Sequence, residues 1–598
     1  MHDKNLKWNL SGMFSGDNDY SIEIDMAQTK EKCNEFIAKW KDRKAYLEDP
    51  EILALALWEY EKLMANYGPA GKAGYYFSLR LAQEQDNVEL KARSNLIENI
   101  AKELGNELQF FVNSICRIPK DKQEDFLNYS GLLEYRHFLE RCFDFSKYLL
   151  SDEEEKILRL KSSVRDKWEA MVEEFFSKEQ REVIDENGEV KMAGFSEILK
   201  LTSSVNKEVR DCAAEAFNDI LKSKIEIVEH EMNALLEDHR INDLLRKRER
   251  ADTCRLDDDD ISSEIVDSLV NAVSSRFELT RRFYRFQTRL LGVEKLKYHE
   301  RNVPYGNTEK NFTYPEAVAL VEKTLDKLSL KFGDIFRGFL REGAIDVMPR
   351  LGKRSGAFCI HSLKSLETYI LLNYTSRLRD VTTLAHEVGH GINNELMKSK
   401  QNALNFETTL ATAEVASTFM EDFVVEQLLE NADDELKLAL SLEILGDSVS
   451  TIFRQIAFYR FESELHKLYR EKGYLSFAEI GALFKKHMED YMGEAVEQSA
   501  GAENWWAYVG HFRWHFYVYS YASGLLISKY MQAETRKDKK FVEKVEEFLS
   551  AGTSESPKEL FLKMGIDISD EKFWHRGLDS FELLLGKTEE LARKMGKI

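Results

Sequence analysis

His386-Glu387-Val388-Gly389-His390 places two imidazoles four residues apart with a carboxylate between them. On a helix, positions i and i+4 share one face about one turn apart, so both histidines can grip one zinc ion. Glu387 is then placed to take a proton from a water on that ion. With 13 His and 105 acidic residues in 598, chance would supply this pattern only ~0.05 times, which favours a metal site over a coincidental surface pair. Val381, Leu384, Ala385 and Val388 form an apolar stripe at helical spacing, so the segment is expected to be a helix at least half buried. Burying two imidazoles and a carboxylate without a partner is costly, and a metal removes that cost. Gly389 admits two readings, close helix packing or room beside the metal.

A catalytic zinc usually takes three protein ligands and leaves a fourth position for water. A metzincin-type continuation needs Gly at 393 and His at 396, where this chain has Asn393 and Leu396. The third ligand is therefore sought among downstream acids. The polar stretch 398–402 interrupts the apolar pattern and 408–429 restarts it, which reads as an αα-hairpin. With the turn near Asn402, antiparallel register sets residue 388 opposite about residue 416. Glu414 is the nearest acid. Glu395 points off the ligand face of its own helix, and Glu407 lies too near the turn. Glu414 is thus the expected third ligand. Glu421, seven residues on and on the same face, either orients a ligand histidine or makes an ordinary salt bridge.

Further motifs extend the pattern. HEVGH is followed by EVASTFME and by HFRWHFYVYSYASG, and preceded by GKRSGAFC and YILLNY. Together these resemble the M3 metallopeptidases, specifically the oligoendopeptidase F branch. The resemblance runs from about Lys200 to the C-terminus, and the opening WNLSGMF is also similar to that branch. It implies a zinc-dependent endopeptidase acting on short peptides, with one zinc per chain lying deep in a channel between helical lobes. It also implies that the first glutamate of the second motif, Glu414, is the third zinc ligand, in agreement with the hairpin register. By motif, His511 and Tyr519 are the expected donors to the oxyanion that grows on the scissile carbonyl. Tyr517 and Tyr521 flank that position; Tyr517 is a candidate substrate contact, and aromatic packing is the plainer reading of both. Two residues depart from the branch. Arg513 stands where a tyrosine is usual and His515 where a proline follows. Arg513 could then donate to a substrate carbonyl or anchor a C-terminal carboxylate. The latter would suit an exopeptidase on the same scaffold. A non-catalytic peptide-binding protein is the other alternative, and an intact Glu387 speaks against it.

The rest of the chain must position these groups. Its 598 residues exceed one ordinary domain, so two or more lobes are expected. With 30 Gly and 7 Pro, these two residues reach about half their usual share, which makes helix the dominant state. Amphipathic stretches at 52–66, 88–116, 151–178, 261–291 and 541–550 fit a mostly α fold. Asp185-Glu186-Asn187-Gly188 between short apolar runs reads as a hairpin near a lobe boundary. The division is placed near 195, giving an N-terminal helical lobe at 1–195 and a catalytic domain at 196–598. The β-prone runs 356–360 and 369–374 precede the zinc motif and read as a small sheet. Through Gly356, Ala357 and Phe358 its edge could pair with an extended peptide.

Asp257 to Asp260 could suggest a metal, but acids before Ile261-Ser262-Ser263-Glu264 suit a helix start. The basic run 246–250 reads as a solvated helix face, and a net charge of −21 disfavours nucleic acid as a partner. Six scattered cysteines without a Cys-x-x-Cys pair suit reduced thiols in the cytoplasm. The opening Met1-His2-Asp3-Lys4-Asn5 lacks an apolar signal core, and no run reaches membrane-span length.

Overall fold

The computed structural model describes residues 6–306, 311–430 and 432–598, apart from two side chains at 163 and 166. The five opening residues considered above lie outside it. The fold is dominantly helical. The stretches read as amphipathic appear as Pro50–Asn66, Val88–Cys116, Asp152–Ser177 and Phe541–Ser550. Local chemistry sets their ends. Ser151 and Glu154 form a reciprocal capping box, with four acids in the first turn facing the positive end of the helix dipole. The 261–291 stretch is two helices, Ser263–Ser275 and Glu278–Leu291. Arg276 turns out at the break to pair with Asp579 and Glu582, a contact between residues some three hundred positions apart that periodicity does not reveal.

The chain forms two compact units, each discontinuous in sequence. One comprises Met1–Leu149, Glu309–Leu428 and Met531–Ile566; the other comprises Leu150–Thr308, Leu429–Tyr530 and Asp567–Ile598. A single division near 195 therefore does not describe the partition. The reason is visible in the first unit, where the N-terminal segment is built into the sheet that precedes the zinc motif. The Trp8 indole donates to the Ile370 carbonyl, the Val347 amide to that of Leu6, and the Tyr75 hydroxyl to those of Ile360 and Glu367.

That sheet has three strands. Tyr369–Leu371 is central, parallel to Ile345–Asp346 and antiparallel to Phe358–Ile360, with Cys359 opposite Ile370. Phe358–Ile360 is thus an edge strand, as the sequence suggested. The Ile345–Asp346 strand, two residues long, has no sequence signature. Around Trp40, Tyr46 and Phe111 the N-terminal helices of this unit bury an aromatic-rich core.

In the second unit the hairpin is present, with Gln180–Ile184 antiparallel to Val190–Gly194. The 40-residue helix Lys207–Arg246 runs through the same unit, together with Arg454–Lys472, Phe477–Met492 and Glu571–Lys594. The basic run is not a merely solvated face, because Arg246 grips Glu155 with two nitrogens and Arg250 bridges Asp252 and Asp267. The acids at 257–260 do not cap the next helix. Its N-cap is Ser262, and Asp257 and Asp258 end the preceding helix Thr253–Asp258.

Candidate metal centre

The zinc motif lies on the helix Leu378–Lys400, whose buried face includes Val381, Leu384, Ala385 and Val388. Asp380 fixes its start by accepting from the amides of Thr375 and Arg377. Its partner in the hairpin is the helix Leu410–Glu430. Gly389 settles their approach. A Cβ there would lie 2.7 Å from the Ser417 Cα and 2.8 Å from the Ala416 carbonyl oxygen, so only glycine allows the backbones this close. Close packing is therefore the role of Gly389. The contact also sets 389 against 416–417, within one to two residues of the register read from the turn.

This register brings Glu414 to the histidines. Its Oε2 lies 3.3 Å from His386 Nε2 and 3.6 Å from His390 Nε2. A tetrahedral ion with bonds of about 2.0–2.1 Å holds ligand atoms about 3.4 Å apart, so the three donors fit one zinc. They also remain reachable, with His386, His390 and Glu414 side chains 27, 24 and 33% exposed. His386 Nδ1 lies 2.9 Å from Glu421 Oε2. Since a carboxylate accepts, Nδ1 carries the proton and Nε2 is left to face Glu414. The Ser417 hydroxyl donates to Glu414 Oε2 at 3.0 Å.

The electrostatics suit a cation. Burial disfavours charge on Glu414, but the His386 hydrogen bond and the His390 charge outweigh it and hold the carboxyl down at about 2. Burial pushes His390 down to about 4. It opposes charge on His386 as well, yet Glu414 and Glu421 raise that imidazole well above its ordinary value. Glu387 is 7% exposed. Burial, against the pull of His386 and with repulsion from Glu414 and Glu421, pushes its carboxyl up to about 7. The Cys359 backbone opposes that shift weakly. The Ser417 hydroxyl on Glu414 was not anticipated from the sequence.

The other acids of the hairpin stand apart. Glu395 accepts from Thr368, and Glu407 is an exposed side chain 3.9 Å from His361. Asn393 donates to the Leu549 carbonyl. Ahead of the edge strand, Gly356 has φ +80° with open space where a Cβ would lie, so it serves the turn. Its carbonyl accepts from Asn373. Ala357 is half-buried, and the Phe358 ring packs edge-on against Trp8 with Arg354 over it.

In the second unit, His511 clusters with Tyr517 and Tyr521. His511 Nε2 is 3.1 Å from the Tyr521 hydroxyl, and the Tyr517 and Tyr521 ring centres are 5.4 Å apart. All three are partly exposed. Burial lowers the His511 pKa, favouring the neutral ring. Tyr519 does not join them. It is fully buried, and its hydroxyl donates to Asp259 Oδ2 at 2.6 Å. Arg513 is likewise committed. Buried at 4% exposure, it forms a two-pronged pair with Glu231 and donates to the carbonyls of Val509 and Ala507. The free cation expected of it, for a substrate carbonyl or carboxylate, is absent.

Comparison with known proteins follows the same lines. The model of peptidase family M3 matches residues 200–580, and that of oligopeptidase F matches 114–175. An oligoendopeptidase F homolog of Lactococcus lactis is 25% identical over 602 aligned residues, covering 98% of each chain. Oligopeptidase PepF of Bacillus subtilis is 24% identical over 98% of this chain and 87% of its own. Among solved structures, oligoendopeptidase-F from Enterococcus faecium superposes with a TM-score of 0.68 at 19% identity, over 96% of this chain and 98% of that one. At that identity the likeness speaks for the fold alone.

Proposed function

Because the chain belongs to peptidase family M3, we propose that it is a zinc-dependent oligoendopeptidase that hydrolyses internal bonds of short, unstructured peptides. As a member of that family it is a metallopeptidase; the choice of zinc, substrate and residue roles is the proposal. Its main support is the convergence of His386, His390 and Glu414 across the hairpin, with Glu387 buried beside them. When bound, zinc supplies a Lewis acid that polarises the scissile carbonyl and makes the attacking water more acidic. His386, His390 and Glu414 would hold it, and Glu421 fixes the tautomer and ring orientation of His386.

Glu387 accepts a proton from the attacking water as its oxygen bonds to the carbonyl carbon. It then returns that proton to the amide nitrogen as the C–N bond breaks, so the carboxylate is regenerated. Its buried setting, which pushes the carboxyl up to about 7, suits a group that must shuttle one proton. Negative charge grows on the carbonyl oxygen in the same step, and donors aimed there lower the barrier. His511 and Tyr521 take that role in place of His511 and Tyr519, since the Tyr519 hydroxyl is spent on Asp259. Tyr517 packs against both and is a candidate substrate contact.

The edge strand offers a backbone for substrate. Phe358–Ile360 is the edge strand of its sheet, and Gly356 and Ala357 lead into it. An extended peptide could add there by strand pairing, with Gly356 and Phe358 shaping the edge. The acidic net charge disfavours nucleic acid as a partner. No helix among the described residues is long and apolar enough to cross a membrane. Six free thiols support a reducing compartment such as the cytoplasm.

Arg513 favours endopeptidase over exopeptidase action, because its pairing with Glu231 removes it as the anchor for a substrate carboxylate. A peptide blocked at both ends should be cut internally, with products mapped by mass. Cleavage only of peptides with a free C-terminus, releasing dipeptides, would favour the exopeptidase instead.

A further inference from the structure

Among the described residues, three groups of histidines and acids bring their donor atoms within 4.8 Å of one another. One is the centre described above. A second, Asp211 with His299 and Glu300, is neutralised by protein cations: Lys207 and Arg210 pair with Glu300, and Lys207 also with Asp211. The third, Glu462 with His466 and His515, is different. All three residues lie within the second unit and all are buried.

Glu462 and His466 are four residues apart on the helix Arg454–Lys472, so they share one face as the motif histidines do. His515 enters from the loop after His511. It stands at φ +46° and Phe516 at +55°, two successive non-glycine residues in the left-handed region. L-residues adopt that conformation only when their surroundings hold them there. Part of the hold is visible, since the Phe516 amide donates to Glu462 Oε1 at 2.7 Å. The turn thereby delivers the His515 ring to the Glu462 carboxylate, with Nδ1 at 3.8 Å from Oε1.

The donors then have nothing to bind. Among the described residues, Glu462 Oε2, His466 Nε2 and both ring nitrogens of His515 are buried without a hydrogen-bond partner. Buried polar atoms in folded chains are almost always satisfied, so three residues that each carry an unsatisfied donor and bring one ligand atom apiece within 4.8 Å of one another indicate a guest. His239 closes the wall, its ring centre 4.4 Å from that of His515 and 4.8 Å from that of His466. Its Nε2 lies 2.7 Å from the Ala251 carbonyl, an acceptor only, which makes Nε2 the protonated nitrogen. Arg255 acts on Glu462 only through space.

We propose that Glu462, His466 and His515 form a second metal site, closed and structural, that takes a divalent ion of the zinc type. Imidazole and carboxylate donors suit such an ion. Tetrahedral coordination would draw the donors from within 4.8 Å to about 3.4 Å of one another, a contraction of at most about 1.4 Å for any pair. Bound there, the ion would tie the helix Arg454–Lys472 to the loop that carries His511, and so hold the left-handed turn in place. His515, which departs from the proline usual in the branch, thereby gains a role.

The test is zinc content of the full-length protein, measured by mass spectrometry after saturation with zinc and dialysis into metal-free buffer. Wild type should hold two equivalents. His390→Ala should keep one, and X-ray absorption at the zinc edge of that variant should show only nitrogen and oxygen ligands with histidine scattering. His390→Ala combined with His515→Asn, an exchange that tolerates the left-handed backbone, should keep none. A folded His390→Ala that holds no stoichiometric zinc overturns the proposal without disturbing the buried residues at all. So does an equivalent that survives both His466→Gln and Glu462→Gln in the His390→Ala background.

Discussion

Two trios of the same chemistry sit in different surroundings in this chain. His386, His390 and Glu414 are about a quarter to a third exposed, whereas Glu462, His466 and His515 are all buried. Each uses a pair of donors at i and i+4 on one helix and a third from a neighbouring element. Donor types and spacing therefore do not separate a catalytic centre from a structural one. Access does: a centre that turns over substrate needs an open coordination position and a base beside it, and only the first trio has Glu387. The buried trio has a carboxylate whose one oxygen already holds the Phe516 amide, which suits fastening rather than exchange.

The contrast is broken most severely at Glu387. Glu387→Gln should lower kcat by about 10²–10⁴-fold while zinc content and Tm stay near wild type, since an amide cannot take the proton. Stopped-time assays on a blocked peptide, with zinc analysis of the same sample, would check this. More than about a tenth of wild-type kcat remaining would remove the general-base role.

Tyrosines 519 and 521 give the next contrast, again between an open group and a buried one. Tyr521→Phe should lower kcat about 10²–10³-fold with little change in KM, as expected of a donor that strengthens only as charge develops. Tyr519→Phe should leave kcat nearly intact and cost about 1–3 kcal/mol of stability, because Asp259 loses a buried donor. Steady-state kinetics and denaturant melts on both variants separate the roles. The opposite pattern would restore Tyr519 as the oxyanion donor.

The tyrosines also show where sequence reading stops. Residues 517, 519 and 521 alternate, which on a strand would align all three. From Tyr519 onward the chain is helical, so strand alternation fails: Tyr521 meets His511 and Tyr517, while Tyr519 turns away to Asp259. Glu414, by contrast, was legible, because hairpin register follows from the turn position and needs no knowledge of distant segments. The long amphipathic helices were legible for the same reason. Arg513 was not: its partner Glu231 is 282 residues away, and nothing local distinguishes a buried paired guanidinium from a free one. The same long-range pairing hid the interleaved units, since Trp8 reaches Ile370 across 362 residues.

A smaller effect tests the setting of the open trio. Glu421→Gln should weaken zinc binding about 10–100-fold while leaving the ligands in place, because His386 loses the carboxylate that orients its ring. Competition with a chromogenic chelator would measure it. An unchanged affinity would make Glu421 an ordinary ion-pair residue.

The most direct measurement joins metal and turnover in one variant. Glu414→Ala, assayed for zinc content and for hydrolysis of a blocked peptide in the same preparation, should lose one equivalent of zinc and nearly all cleavage. Full zinc content with unaltered cleavage would contradict the assignment of His386, His390 and Glu414 as the catalytic metal centre.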